Sequence, residues 1–289
     1  GGISNGVIQF TPETPSNSLT SVSYAAYQSL VGKGWTIDIA SPPSASSYYG
    51  LTGATYDSLS FDTNTELAGN TMYKLSVMGN KMMVSGSGDV WRYSLTNQED
   101  ISTMSYDSNT NTALPATMQS HQWADSGNKI MAWSGSEFSY SYSLSTAYDL
   151  TSITAGAAGG PWTGQGTDIR ATVWTPDGLK AFTLDATGDK INSWTLSPAY
   201  TNTGYTDDNV SLSLSGIVGI TSPRDFCFSP DGKTIIVADY SGGKLYELTL
   251  TTAWDISTGS YTQTFDISGQ MSNAYSVTYN ETGSKLYVG

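Results

Sequence analysis

Two arginines are the residues of this chain best placed to do chemistry. The sequence holds 12 Lys and Arg against 25 Asp and Glu, a formal net charge of −13, so a guanidinium at a fixed place in a repeated segment is an exception. Arg224 precedes Phe228 of Phe228-Ser229-Pro230-Asp231-Gly232-Lys233 by four residues, and Arg170 precedes Trp174 of Trp174-Thr175-Pro176-Asp177-Gly178 by four. The same place holds Gln119 and Tyr275 in other copies of the segment, and Lys74 or Tyr73 in one whose turn is a residue shorter. Paired guanidiniums can hold a carboxylate or sulfate ligand through bidentate hydrogen bonds. Trp162, in the Gly- and Ala-rich stretch before Arg170, offers a face for a sugar ring or an ordinary plug between repeats. The competing reading is that Arg224 and Arg170 pair with Asp225, Asp168 or an acid of the next repeat, and serve structure alone.

Other chemistry is scarce. His121 is the single histidine, so Ser-His-Asp catalysis, Cys-His catalysis and histidine-rich metal sites would all need it. Its place on an apolar segment beside Trp123 suits a hydrogen-bonded packing residue. Cys227 is the one cysteine, which rules out intrachain disulfides and cysteine zinc sites and reads as a small buried hydrophobe. No Gly-rich phosphate loop opens a helix, and no Asp-x-Asp-x-Asp-Gly calcium loop is present. Asp207-Asp208 reads as a solvated turn. The six glutamates (13, 66, 99, 137, 247 and 281) fall in turns or at outward positions, with no sign of a carboxylate pair for glycoside hydrolysis. No cofactor and no metal are expected.

The elements that position these residues recur. Lys81, Lys129, Lys180, Lys233 and Lys285 are spaced by 48, 51, 53 and 52 residues, each closing a turn. Within a unit, four short runs of β-branched and aromatic residues alternate with period two, as in Leu245/Glu247/Thr249 against Tyr246/Leu248/Leu250. Pro-Asp-Gly supplies a tight turn, because proline presets φ and glycine accepts φ > 0. Asp255, Asp149 and Asp100 stand at equivalent places, where a carboxylate can accept backbone N–H bonds and fix the turn between third and fourth strands. The aromatics before two of them, Trp254 and Tyr148, are expected to plug the gap between units.

Four antiparallel strands per unit of this length make the blade of a β-propeller, whose blades bury their faces on one another. The expected architecture is all-β: one propeller domain over 1–289, with blades at about 3–69, 70–114, 115–158, 159–215 and 216–268 and a half-blade at 269–289. The sixth copy stops after two strands, so the chain reads as an excerpt from a longer polypeptide whose whole ring has six or seven blades. A second register has Gly6–Thr11 and Ser21–Gln28 completing the C-terminal half-blade. In either, the first strand lines the central channel, and its start, with Arg224, Arg170, Gln119 and Tyr275, lies at one mouth.

The acidic surface makes nucleic acid a poor partner. No run of about 18 apolar residues suggests membrane insertion. Low total charge with heavy use of Ser, Thr, Asn, Gly and Tyr suits a virion, extracellular or cell-surface setting.

The Ser-Pro-Asp-Gly turns resemble those of WD-like and YVTN-type propellers. The longer Leu250-Thr251-Thr252-Ala253-Trp254-Asp255-Ile256-Ser257-Thr258, repeated as Leu144-Ser145-Thr146-Ala147-Tyr148-Asp149-Leu150, resembles a variety found in virion and tail-associated proteins of marine bacteriophages. That resemblance implies a non-enzymatic module binding neighbouring virion or surface proteins, or a host-surface glycan, in a possible oligomeric assembly. An extracellular sugar-acting hydrolase or lyase, with its site at the channel mouth, is the alternative, and a bacterial adhesion protein is a further one. YVTN relatives include sugar-lactone hydrolases, whose acid and metal residues match no motif here.

Overall fold

The computed structural model describes residues 7–9, 36–38, 49–52, 54–57, 72–86, 90–97, 100–107, 114, 118–134, 138–154, 156, 158–162, 166 and 168–289. Strands β1 (Val7–Gln9) and β2 (Thr36–Asp38) pair in parallel. The repeats then fold in turn. Strands β3 (Met72–Met78), β4 (Lys81–Gly86), β5 (Val90–Leu95) and β6 (Met104–Tyr106) form one antiparallel sheet. The next comprises β7 (Met118–Ala124), β8 (Lys129–Ser134), β9 (Phe138–Leu144) and β10 (Ile153–Thr154), with β11 (Ala158–Pro161) also on β9. Then come β12 (Ile169–Trp174), β13 (Lys180–Asp185), β14 (Lys190–Leu196) and β15 (Tyr205–Ser213). The best-patterned repeat gives β16 (Pro223–Phe228), β17 (Thr234–Asp239), β18 (Lys244–Leu250) and β19 (Gly259–Asp266), and β20 (Val277–Tyr279) pairs with β21 (Leu286–Val288). The ruler lysines open the second strand of a sheet or immediately precede it. The protein is an all-β propeller.

The sheets stack because their middle strands are apolar on both faces. All six residues of β17 are buried, and Phe182 meets Phe228 of the next sheet at 4.7 Å between ring centroids. Around the axis the first strands touch in a cycle, β3 to β7 to β12 to β16 to β20 and back to β3. Side chains stitch them: the Ser120 hydroxyl both accepts from the Thr172 N–H and donates to its carbonyl at 3.0 Å, and Gln122 does the same for Trp174. Ser276, just before β20, accepts from the Leu75 N–H at 3.0 Å. That direct bond joins the last of the described first strands to the first, so among the described residues these five make one cycle.

The blade expected at about 3–69 lies largely outside the described residues, as do Ser21–Gln28 of the second register. Residues 49–52 and 54–57 of it pack on the end of the ring. The Tyr279 hydroxyl donates to the Tyr49 carbonyl, the Leu51 N–H donates to the Glu247 carboxylate at 2.5 Å, and Lys285 pairs with Asp57. Tyr49 also fills a repeated role. Tyr148, Tyr200 and Trp254, all with positive φ, lie over the turn glycines of their own sheets, Gly127, Gly178 and Gly232, and donate their N–H to those carbonyls at 2.9 Å. Their rings occupy the space a Cβ would need, and the glycines have φ of +83°, +70° and +71°. Tyr148 and Trp254 cover their own blade's turn and also pack on the apolar seam with the preceding blade, as expected of them. Over Gly283, in the turn joining β20 to β21, the covering ring is that of Tyr49, from the other end of the sequence.

The carboxylates of Asp255, Asp149 and Asp100 accept the N–H and hydroxyl of Ser257, Thr151 and Ser102, capping a 3₁₀ turn before the fourth strand. This matches the role expected of them. Asp208 differs from expectation: it lies on β15 and accepts from Lys180, Ser193 and Thr195, so it is no solvated turn residue.

Candidate functional site

Four of the first strands begin with the same irregularity. Against β4, β8, β13 and β17 the register slips by one residue between Met72 and Lys74, Met118 and Ser120, Ile169 and Ala171, and Pro223 and Asp225. The extra residues are Tyr73, Gln119, Arg170 and Arg224. A bulge of this kind bends the strand and re-aims one side chain. Here four bulged residues and Tyr275 of the fifth sheet line one cavity of about 340 Å³, one residue from each blade, at the channel mouth. The bulge settles the choice in the first sheet: Tyr73 faces the mouth, and Lys74 turns into the ring.

The two arginines differ. Arg170 is tied to Asp168 by two parallel bonds, Nε to Oδ1 at 2.7 Å and Nη2 to Oδ2 at 2.7 Å, the fork geometry of a charge-assisted pair. Arg224 forms no ion pair among the described residues, and its buried Nε has no acceptor. Its guanidinium instead lies 5.2 Å from the Tyr240 ring centre and 5.8 Å from that of Tyr275. Those rings meet edge to face at 4.9 Å. Aromatic faces hold a guanidinium without neutralising it. The nearby Asp239 is not its partner, since its carboxylate accepts from the N–H groups of Thr221, Ser222 and Ser241 at 2.7–2.8 Å. The hydrogen bond between Tyr275 and Tyr240, then burial, hold the Tyr275 phenol above its ordinary pKa.

Asp225, an expected partner of Arg224, points the other way. It grips Lys74 of β3 at 2.6 and 2.8 Å and also accepts from the Ser276 hydroxyl and the Val277 N–H at 2.8 Å each. The structural reading of the arginines therefore holds for Arg170 and fails for Arg224. His121 lies beside this network, wholly buried. Its Nε2 is 3.2 Å from the Lys74 carbonyl and its Nδ1 3.0 Å from the Ser76 hydroxyl. A carbonyl can only accept, so Nε2 carries the proton and Nδ1 accepts from Ser76. Burial, then the Lys74 charge, push its pKa down to about 3. It is a neutral packing residue, as its sequence context suggested.

Of the expected rim residues, Arg170, Arg224, Gln119 and Tyr275 come together. Trp162 does not. It is buried between Trp133 and Trp194, against Tyr205, as a plug between adjacent sheets. Tyr240 was missed, because it belongs to the turn after a second strand and only the fold brings it to Arg224. Glu247 was also misjudged: it is buried, holding the Leu51 N–H and Gln263. Cys227 is buried, and burial raises its thiol pKa. Among the described residues no three His, Cys, Asp or Glu gather as a metal site, and no helix is long and apolar enough to cross a membrane.

No protein-family model matches the sequence, and no curated protein is similar to it. Solved structures align with part of it. A periplasmic gluconolactonase of Pseudomonas aeruginosa aligns over 75% of this chain and 64% of its own, with 13% identity and a TM-score of 0.46. A protein provisionally assigned as a 6-phosphogluconolactonase, from Bacteroides fragilis, aligns over 75% and 63%, with 15% identity and a TM-score of 0.46. A Desulfotomaculum acetoxidans protein of unknown function aligns over 76% and 63%, with 12% identity and a TM-score of 0.44. The chain thus spans less than two thirds of these structures. The expectation that the chain is not an enzyme is corrected here, since proteins named as lactonases stand among these neighbours. The virion role and location find no counterpart among them.

Proposed function

We propose that this propeller binds a small hydroxyl-rich acid or its lactone at the channel mouth and hydrolyses the lactone or ester. The observation that carries this reading is Arg224, a half-buried guanidinium held on two tyrosine rings with no acid to neutralise it. Lactone hydrolysis suits one unpaired cation. The tetrahedral intermediate has one oxyanion and the product one carboxylate, and the same guanidinium can hold both. Tyr73, Tyr275 and Gln119 supply the donors and acceptors that fix a polyol. A cavity of about 340 Å³ lies at the small end of ligand sites.

The test is D-glucono-δ-lactone hydrolysis at constant pH, followed by alkali uptake, for the wild-type chain and Arg224→Ala. Wild type is expected to exceed the buffer rate, with Arg224→Ala lower in kcat/KM by on the order of 10²–10³-fold. A wild-type rate equal to buffer, or an unaffected Arg224→Ala, overturns the proposal.

A further inference from the structure

The two arginines occupy equivalent bulges, yet one is free and the other already spent on Asp168. We infer that Asp168 is a specificity-determining residue that restricts the mouth to singly charged ligands; this rests on the anion-site reading above. Were both guanidiniums free, the cavity would suit a dianion such as a phosphate monoester. The fork of Arg170 on Asp168, 2.7 Å at each bond, uses two of the five guanidinium donors and offsets the positive charge that a second anionic charge would need. It also sets a carboxylate beside the place where that charge would sit. The remaining cation at the mouth is Arg224, which can meet one negative charge. Repulsion aimed at the wrong ligand is as much a part of selectivity as attraction for the right one. The Asp168 and Arg170 side chains are partly solvated, at 36% and 30% exposure, so the discrimination is moderate.

Calorimetric titration of the wild-type chain with D-gluconate and with D-glucose 6-phosphate at pH 8 compares a carboxylate monoanion with a phosphate dianion on similar polyols. Gluconate is expected to bind about tenfold more tightly. Asp168→Asn keeps a hydrogen-bonding partner for Arg170 while deleting the charge, and should raise glucose 6-phosphate affinity about tenfold relative to gluconate. Circular dichroism confirms that the variant is folded. Wild type binding the phosphate as tightly as gluconate, or an Asp168→Asn variant with an unchanged ratio, overturns this inference and leaves the anion site standing. If neither probe binds the wild-type chain, the anion site itself is refuted and the inference falls with it.

Discussion

Removing the Asp225 carboxylate is expected to damage the ring more than any single surface change. Asp225 and Lys74 lie at 1% and 6% side-chain exposure, on first strands of different blades. Four contacts converge on the carboxylate: two from the Lys74 ammonium, at 2.6 and 2.8 Å, and one each from Ser276 and Val277 at 2.8 Å. Asp225→Ala strands a buried ammonium and an amide N–H, and such a loss costs about 3–5 kcal/mol. For a domain of this size that lowers Tm by roughly 10 °C. Lys74→Met leaves the carboxylate with Ser276 and Val277, so it should cost less. The double variant Lys74→Met/Asp225→Ala buries no unpaired charge, and should recover about 2 kcal/mol relative to the sum of the two singles. Equilibrium unfolding in urea, followed by circular dichroism, measures all three. Lys285→Ala, which breaks the exposed pair with Asp57, is the control at about 0–1 kcal/mol. An Asp225→Ala cost no greater than that control's, or a double variant equal to the sum of the singles, would refute the role of this buried pair.

Four further outcomes follow from the same contacts. His121 binds a proton in the unfolded chain below its ordinary value of 6.5, but in the folded chain only near 3. Its stabilising contribution is therefore whole above pH 6.5 and falls as the pH drops toward 3, by up to about 1.4 kcal/mol per pH unit. His121→Gln should flatten the stability profile between pH 6 and 4, whereas an unaltered slope would assign that limb to other groups. Tyr49→Ala should cost about 3 kcal/mol, because its buried ring covers Gly283 and lets the N-terminal part of the chain latch the fifth blade; a cost under about 1 kcal/mol in a melting curve contradicts that latch. Gly232→Ala places a Cβ into the Trp254 ring at a φ of +71°, and should lower stability by about 2–4 kcal/mol in urea. Cys227 is buried with its thiol pKa raised, so it should react with a thiol reagent only at the rate of unfolding.

The fold was legible because propeller blades write themselves locally. The four runs expected in the repeat at about 216–268 formed strands at Pro223–Phe228, Thr234–Asp239, Lys244–Leu250 and Gly259–Asp266, since alternation and Pro-Asp-Gly turns act within a few residues. Which distant first strands meet was not legible, because the bond from Leu75 to Ser276 has no local signature. The mouth residues were found by aligning repeats, which works because the bulge recurs at one phase. Alignment could not say which arginine is free: Asp168 and Asp225 each adjoin an arginine in sequence, but Asp225, on the inner side of the bulge, is claimed by Lys74. Trp162 misled for a similar reason, because a tryptophan in a loop reads alike whether it lines a rim or fills a seam.

A crystal of the wild-type chain soaked with D-gluconate tests the central claim most directly. The carboxylate should lie on the Arg224 guanidinium beside the Tyr240 and Tyr275 rings, with the polyol reaching Tyr73 and Gln119. A mouth without gluconate at saturating concentration, or gluconate bound away from Arg224, would contradict it.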